Sequence, residues 1–243
     1  MAALPEKARV VIIGQGGIVG ASVAHHLVQN GWDDIVGLEK SAIPTDIGST
    51  SHASDFCYMT SHDKLNVFTS TYSREFYKSR GNFIEIGGME VARKGDDAQV
   101  QELLRKVGSG KAFGTNAHMI TAAEAKERFP LLEEDTIECA MWDPDAGLVT
   151  PRSQKVAGDL VDEAVAAGKL QAFPYTPAEE IIVEDGRAVG VKTAKGTIMA
   201  DHVVLCVGIW GSLVSETANV KLPLMPVEHP LLFFGPWDAL EGT

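Results

Sequence analysis

Arg9-Val10-Val11-Ile12-Ile13-Gly14-Gln15-Gly16-Gly17-Ile18-Val19-Gly20 is the stretch that decides the fold. Residues 10–13 are apolar and β-branched, as in a parallel strand buried on both faces. Glycines at 14, 16, 17 and 20 follow. Val19, Val23 and Leu27 then repeat at helical spacing on one face of a helix running to about Asn30, with Gly31 as its C-cap. A second apolar strand, residues 35–38, ends at Glu39. The first 40 residues thus read as a β-α-β unit with a glycine turn between strand and helix.

Glycine at that turn has a physical use. A helix N-terminus offers unpaired N–H groups and a partial positive charge, and glycine lets a pyrophosphate approach them closely. An acid at the end of the second strand, here Glu39, suits a ribose hydroxyl. The usual spacing is G-x-G-x-x-G, whereas Gly14 to Gly20 is one residue longer. Gly14 is read as the tight turn, with the extra residue inside the loop. The backbones of Gly17, Ile18 and Val19 then face the pyrophosphate. The turn alone does not separate FAD from NAD.

Working outward, residues 41–61 form a polar loop without helical or strand periodicity. Asp63 is an N-cap for a helix that buries Leu65, Phe68, Tyr72 and Phe76 and stops before Gly81. Strand-like runs at 83–86 and 89–92 flank Gly87-Gly88. Val100, Leu103, Leu104 and Val107 repeat at helical spacing after Asp96, and Thr121-x-x-Glu124 is a capping box. Thr150-Pro151 reads as an N-cap followed by proline at N1, ahead of a helix whose stripe is Val156, Leu160 and Ala164. Turns at Asp185-Gly186 and Lys195-Gly196 set up a three-stranded meander ending in the apolar run 203–207.

The meander is of the kind that FAD proteins of the glutathione-reductase-like class insert before the returning strand, so the expected fold class is α/β: an FAD-binding Rossmann-like (glutathione-reductase-like) domain interleaved with part of an α+β substrate domain. Residues 1–80 and 150–211 are assigned to the first, and 81–149 and 212–243 to the second.

Composition narrows the function. A net charge of −12, with no lysine/arginine run, argues against a nucleic-acid partner. No stretch approaches 18 consecutive apolar residues, so no membrane span is expected. The three cysteines are far apart and include no Cys-x-x-Cys pair, giving neither a disulfide framework nor a zinc site. With no signal or transit pattern, a reduced, soluble, cytoplasmic setting is the expectation.

The serial order of several segments carries a resemblance. They are Gly48-Ser49-Thr50-Ser51-His52-Ala53, Gly87-Gly88-Met89-Glu90-Val91-Ala92, Val207-Gly208-Ile209-Trp210-Gly211 and Leu222-Pro223-Leu224-Met225-Pro226-Val227-Glu228-His229. Together they resemble the flavin domain of the dimethylglycine dehydrogenase, dimethylglycine oxidase and sarcosine dehydrogenase family, within the D-amino-acid-oxidase-like superfamily. The resemblance implies FAD held by the glycine turn (Gly14, Gly17, Ile18, Val19, Gly20), by Glu39 and Lys40 at the adenosine ribose, and by Ser49, Thr50 and Ser51. It puts Phe56 near the flavin and the backbone of Ala178 at the adenine. His52 matches a histidine that members link covalently to the flavin, and His229 matches an active-site histidine.

The implied reaction is oxidation of a small N-methyl amino acid, dimethylglycine or sarcosine in type. Electrons would pass on to oxygen or an electron-transfer flavoprotein. Ser54-Asp55 departs from the family's small-residue-plus-glycine step. Members continue into the rest of the substrate sheet and usually a folate-binding region, which residues 1–243 do not contain. A fragment of the flavoenzyme is therefore one alternative reading. Another is a non-catalytic regulatory homologue; that branch lacks the linking histidine, so His52 favours the enzyme.

The other histidines, His25, His26, His62, His118 and His202, show no metal-ligand spacing. Asp143-Pro144-Asp145-Ala146-Gly147 looks like part of a calcium loop but has no later Glu ligand, and it reads as a turn. No metal is expected.

Overall fold

The computed structural model describes residues 3–228 together with 230, 232, 235, 237 and 238. In chain order it contains β1 (Lys7–Ile13), α1 (Ile18–Gln29), β2 (Ile35–Leu38), β3 (Phe56–Cys57), α2 (Lys64–Ser79), β4 (Phe83–Glu85), β5 (Gly88–Arg93), α3 (Asp97–Phe113), β6 (His118–Thr121), α4 (Ala122–Arg128), β7 (Ile137–Asp143), β8 (Gly147–Val149), α5 (Ser153–Ala166), β9 (Leu170–Phe173), β10 (Ala178–Glu184), β11 (Arg187–Thr193), β12 (Gly196–Leu205) and α6 (Gly211–Glu216). Contacts divide the chain into two units, Met1–Ser54 with Pro151–Leu231 and Asp55–Thr150 with Leu232–Thr243. Segment 55–80 thus groups with the second unit rather than the first, because α2 packs on α3 and β4. Segment 212–231 groups with the first, where α6 lies against β10 and the Thr217 hydroxyl accepts from the Ile181 N–H at 3.0 Å.

The first unit is built on a six-stranded sheet of order β10-β11-β12-β1-β2-β9. β12, β1, β2 and β9 run parallel, with Ile13 level with Leu205 on one side and Leu38 on the other. β10, β11 and β12 form the antiparallel meander. At its first turn Asp185 and Gly186 both have positive φ, 49° and 76°, as a two-residue hairpin with the sheet's twist requires. Val11, Ile13, Val36, Leu38, Val191 and Ile198 bury one face. Val10 and Ile12 alternate with them toward the side where α1 packs on α5.

That helix pair corrects two sequence expectations. α1 turns Gly20, Ala21, Ala24 and His25 inward, while Val19 is 60% exposed. Small side chains let α1 approach the strands and α5 more closely than a valine stripe would. His25 Nδ1 lies 3.3 Å from Glu163 of α5. α5 starts at Ser153 with Arg152 as its N-cap, later than Thr150-Pro151 suggested, although its buried stripe does include Val156, Leu160 and Ala164.

The second unit holds two three-stranded antiparallel sheets, β3-β8-β4 and β5-β7-β6. Leu103 and Val107 of α3 pack with Ala92, Ala117 and Met141. Asp143 is fully buried and its Oδ2 accepts from the N–H groups of Met59 at 3.1 Å and Thr60 at 2.9 Å. It therefore anchors the chain after β3, and no metal-binding cluster occurs among the described residues. α2 has the expected Asp63 cap but not the expected face: Val67 is buried, whereas Leu65, Phe68 and Tyr72 are 66%, 67% and 51% exposed. Helical spacing shows that such residues share a face, not which face is covered.

Leu160 and Leu65 give a direct contrast. Leu160→Ala, at a fully buried site, is expected to lower stability by about 2–5 kcal/mol. Leu65→Ala should stay within about 0.5 kcal/mol. Urea unfolding of both variants checks this, and equal losses would contradict the burial pattern.

Candidate cofactor site

The site begins where β1 ends. Gly14, at φ +92°, turns the chain sharply, and both its N–H and that of Gln15 donate to the Leu38 carbonyl, at 2.8 and 3.0 Å. A Cβ at Gly14 would collide with the Cys206 carbonyl, and one at Gly20 with the Gly14 carbonyl. These glycines are required by close approach of backbone to backbone. Gly17 differs: it is the N-cap of α1, a Cβ there would meet nothing nearer than Thr50 Oγ1 at 3.5 Å, and it lines a cavity. The Thr50 hydroxyl accepts from the Ile18 N–H at 3.0 Å, which leaves α1 capped by the following loop rather than by its own N-cap.

Glu39, only 6% exposed, is fixed from two sides. Its Oε2 accepts from the Gly16 N–H at 2.9 Å and its Oε1 from the Ser41 N–H at 3.1 Å. The acid therefore braces the turn while lining the cavity. Lys40 Nζ stands 3.4 Å over the Trp210 ring, a cation–π contact between the second residue after β2 and the turn after β12. Loop 45–53 is held against α5, with Gln154 donating to the Thr45 carbonyl at 2.8 Å and Arg152 to the Ala53 carbonyl at 3.1 Å.

The cavity has a volume of about 570 Å³ and lies wholly within the first unit. Gly14, Gly17, Ile18, Val19, Glu39, Lys40, Ser49, Thr50 and Ala178 all line it. Gly20, Ser51, His52 and Phe56 do not line it. Gly20 is buried within α1, and the Ser51 hydroxyl is turned back onto the Gly48 carbonyl at 2.8 Å. His52 is exposed, its Nδ1 3.0 Å from both the Gly48 carbonyl and Ser51 Oγ. Phe56 belongs to the second unit, where its ring meets Tyr58 edge-on at 4.7 Å between centroids. His229 lies outside the described residues.

Sequence reasoning missed Trp210, Pro177, Leu222 and Leu224 as cavity walls. Nothing in the spacing of Gly208-Ile209-Trp210-Gly211 shows that Trp210 faces Lys40. Gln15, buried under the turn, carries no local signal among the glycines around it.

The arrangement fits FAD. An open glycine at a helix start accommodates a phosphate, an apolar cavity accommodates aromatic rings, and Glu39 and Lys40 supply polar groups beside them. When residues 9–242 are compared with protein families, they match the one described as FAD dependent oxidoreductase. The chain belongs to that family, and FAD is its cofactor. Among its relatives, mitochondrial sarcosine dehydrogenase of Homo sapiens is 29% identical over 93% of this chain and 25% of its own length. The mitochondrial pyruvate dehydrogenase phosphatase regulatory subunit of Mus musculus is 30% identical over 98% of this chain and 27% of its own length. L-proline dehydrogenase from P. horikoshii superimposes with a TM-score of 0.80 at 30% identity, covering 90% of this chain and 57% of that one. The chain thus spans about a quarter of the length of these two curated relatives.

The thiol of Cys206, in the cavity wall, is pushed up to about 11 by burial. Thiolate is the reactive form, so alkylation of Cys206 should be slow at pH 8 and still accelerating at pH 10. Peptide mass spectrometry after timed iodoacetamide treatment measures this. Rapid labelling at pH 8 that has already levelled off would contradict the buried setting.

Proposed function

We propose that this chain is the FAD-binding part of an amine oxidoreductase that oxidises a small N-methylated amino acid of the dimethylglycine or sarcosine type. The observation that carries the cofactor half is the open Gly17 at the start of α1, facing a cavity with Glu39 at its edge. The substrate half rests on the likeness to sarcosine dehydrogenase and on the order of the sequence motifs. The first unit takes the role of FAD-binding domain and the second that of a substrate domain.

Gly14 and Gly20 bring β1 and α1 together, so that the backbone at 17–19 would form the phosphate-binding end, the Ile18 N–H being shared with the Thr50 hydroxyl. Glu39 and Lys40 would hold the adenosine ribose, Ser49 and Thr50 would follow the cofactor along the next loop with Ser51 bracing that loop through Gly48, and Ala178 would meet the adenine with its backbone. Phe56 is assigned to the flavin's surroundings by resemblance. When bound, the flavin supplies a two-electron sink for the hydride leaving the N-methyl carbon. The protein's task is to present the amine as a neutral base, because its lone pair stabilises the developing iminium. For an amine with a pKa like that of lysine, about 10.4, neutralisation at pH 7 costs about 4–5 kcal/mol. His229 is the proposed group that holds this proton or orients the nitrogen, and His52 the proposed point of covalent attachment. Oxygen or an electron-transfer flavoprotein takes the electrons onward.

A regulatory role without catalysis is the second reading, favoured by the name of the mouse relative. His52 favours the first reading, because the regulatory branch of the family that the sequence resembles lacks the flavin-linking histidine.

Gly17→Glu is expected to abolish flavin binding while the chain still folds, because a carboxylate there would oppose the pyrophosphate. Bound FAD after gel filtration reports this, and undiminished flavin in a folded variant overturns the phosphate site. In a parent extended past Thr243, acid precipitation should leave flavin on the peptide carrying His52, and His52→Ala should release it. In the same parent, His229→Ala should slow flavin reduction by an N-methyl amino acid, about 10²–10⁴-fold if His229 is a general base. Stopped-flow rates should then rise more steeply toward the amine's own pKa. Unchanged kinetics at every pH, with normal flavin content, would leave His229 with a packing role.

A further inference from the structure

Gln15 lies beneath the phosphate turn without lining the cavity, and its side chain is fully buried. Its Nε2 donates to the Gly20 carbonyl at 3.3 Å, a long bond. Its Oε1 is buried with no hydrogen-bond partner among the described residues. A buried acceptor without a partner is unfavourable, so the amide's own bonds do not account for its position.

β2 supplies the missing reason. A Cβ at Gly37 would stand 2.5 Å from Gln15 Cγ and Oε1 and 2.7 Å from Cδ. Gly37 is in the middle of a strand whose four residues are all buried, and it is absent from the positive-φ glycines. Its backbone therefore has no need of glycine, and glycine inside a strand weakens it unless something approaches closely. Here that something is Gln15. Between Ile13 and Ile18 the link is Gly14-Gln15-Gly16-Gly17, so Gln15 provides its one side chain.

We propose that Gln15 and Gly37 are a matched pair of positioning residues that brace the lengthened turn from below and thereby set where the pyrophosphate lies. This rests on reading the turn as the FAD phosphate site. Without the Gln15 side chain the link is held by backbone bonds alone. With a methyl at 37, Gln15 is driven up into the turn. Either change displaces the N–H groups at 17–19, and a misplacement of about 1 Å is enough to cost a binding or reacting geometry heavily.

A double-mutant cycle tests the pair on apoprotein prepared from riboflavin-limited cells. FAD affinity is read from quenching of flavin fluorescence, and the thermal midpoint of the apoprotein is read separately. Gln15→Ala and Gly37→Ala should each weaken FAD binding about tenfold, on the scale expected for a small displacement of the site. The double variant should return to within about threefold of the parent, because the methyl at 37 occupies space that the shortened side chain gives up. Loss in the singles without recovery in the double overturns the pairing. Thermal midpoints that shift and recover while FAD affinity never moves reduce the pair to a fold-stabilising contact and also overturn it. If Gly37→Ala does not fold, Gln15→Met carries the test, since it fills the seat without the amide. It should keep FAD affinity where Gln15→Ala loses it, and equal losses would falsify bracing by shape. Gly17→Glu run alongside separates the two levels. FAD retained by that variant removes the phosphate site itself, whereas FAD lost there with no coupling in the cycle removes the pair alone.

Discussion

The Leu38 carbonyl accepts two N–H groups in succession, from Gly14 and Gln15, and the arrangement around the cavity depends on that bond pair. It locks the end of β1 to the end of β2 and forces the chain to leave the sheet there. On the other flank the Cys206 N–H donates to Ile13, which fixes β12 at the same level. Three parallel strands therefore stop together, and their loops are delivered to one edge of the sheet. Ligands in open α/β sheets bind at such an edge, outside the carboxyl ends of the strands.

With the strand ends fixed, the remaining tolerances are tight on one side of the turn and loose on the other. Gly14 and Gly20 meet backbone, Gly16 meets the chain at Ala42 and Thr45, and Gly37 meets Gln15. Gly17 alone among the glycines from 14 to 20 has room for a Cβ, its nearest neighbour being Thr50 Oγ1 at 3.5 Å. A loop one residue longer than usual is thus not slack. Glu39 holds it through Gly16, Thr45 donates to its Gly16 carbonyl, and Gln15 fills the space below.

Apolar exposure in the second unit carries a separate lesson. Leu65, Phe68 and Tyr72 stand in solvent on α2, and the helix is kept in place by Val67 and by a side-chain cap from Asp63 to the Asn66 N–H at 2.9 Å. A stripe at helical spacing identifies a helix, while its cover is a property of whatever packs there.

The sequence by itself determined the β-α-β opening, the meander with its two turns, the capping box at Thr121 and the placement of an acid at the end of β2. Each of these depends on interactions between residues close along the chain: backbone conformation at glycine, side-chain caps, and alternation of apolar residues in a strand. The order of motifs also made the family legible. Tertiary structure alone decided the inward face of α1, the exposed face of α2, the boundary at Ser54 and Asp55, and the meeting of Lys40 with Trp210. It also decided that Gly37 is the seat of Gln15, residues 22 positions apart in sequence (37 − 15) and brought into contact only when β2 aligns with β1. Such contacts are set by how elements pack, and no local propensity of either residue encodes the other.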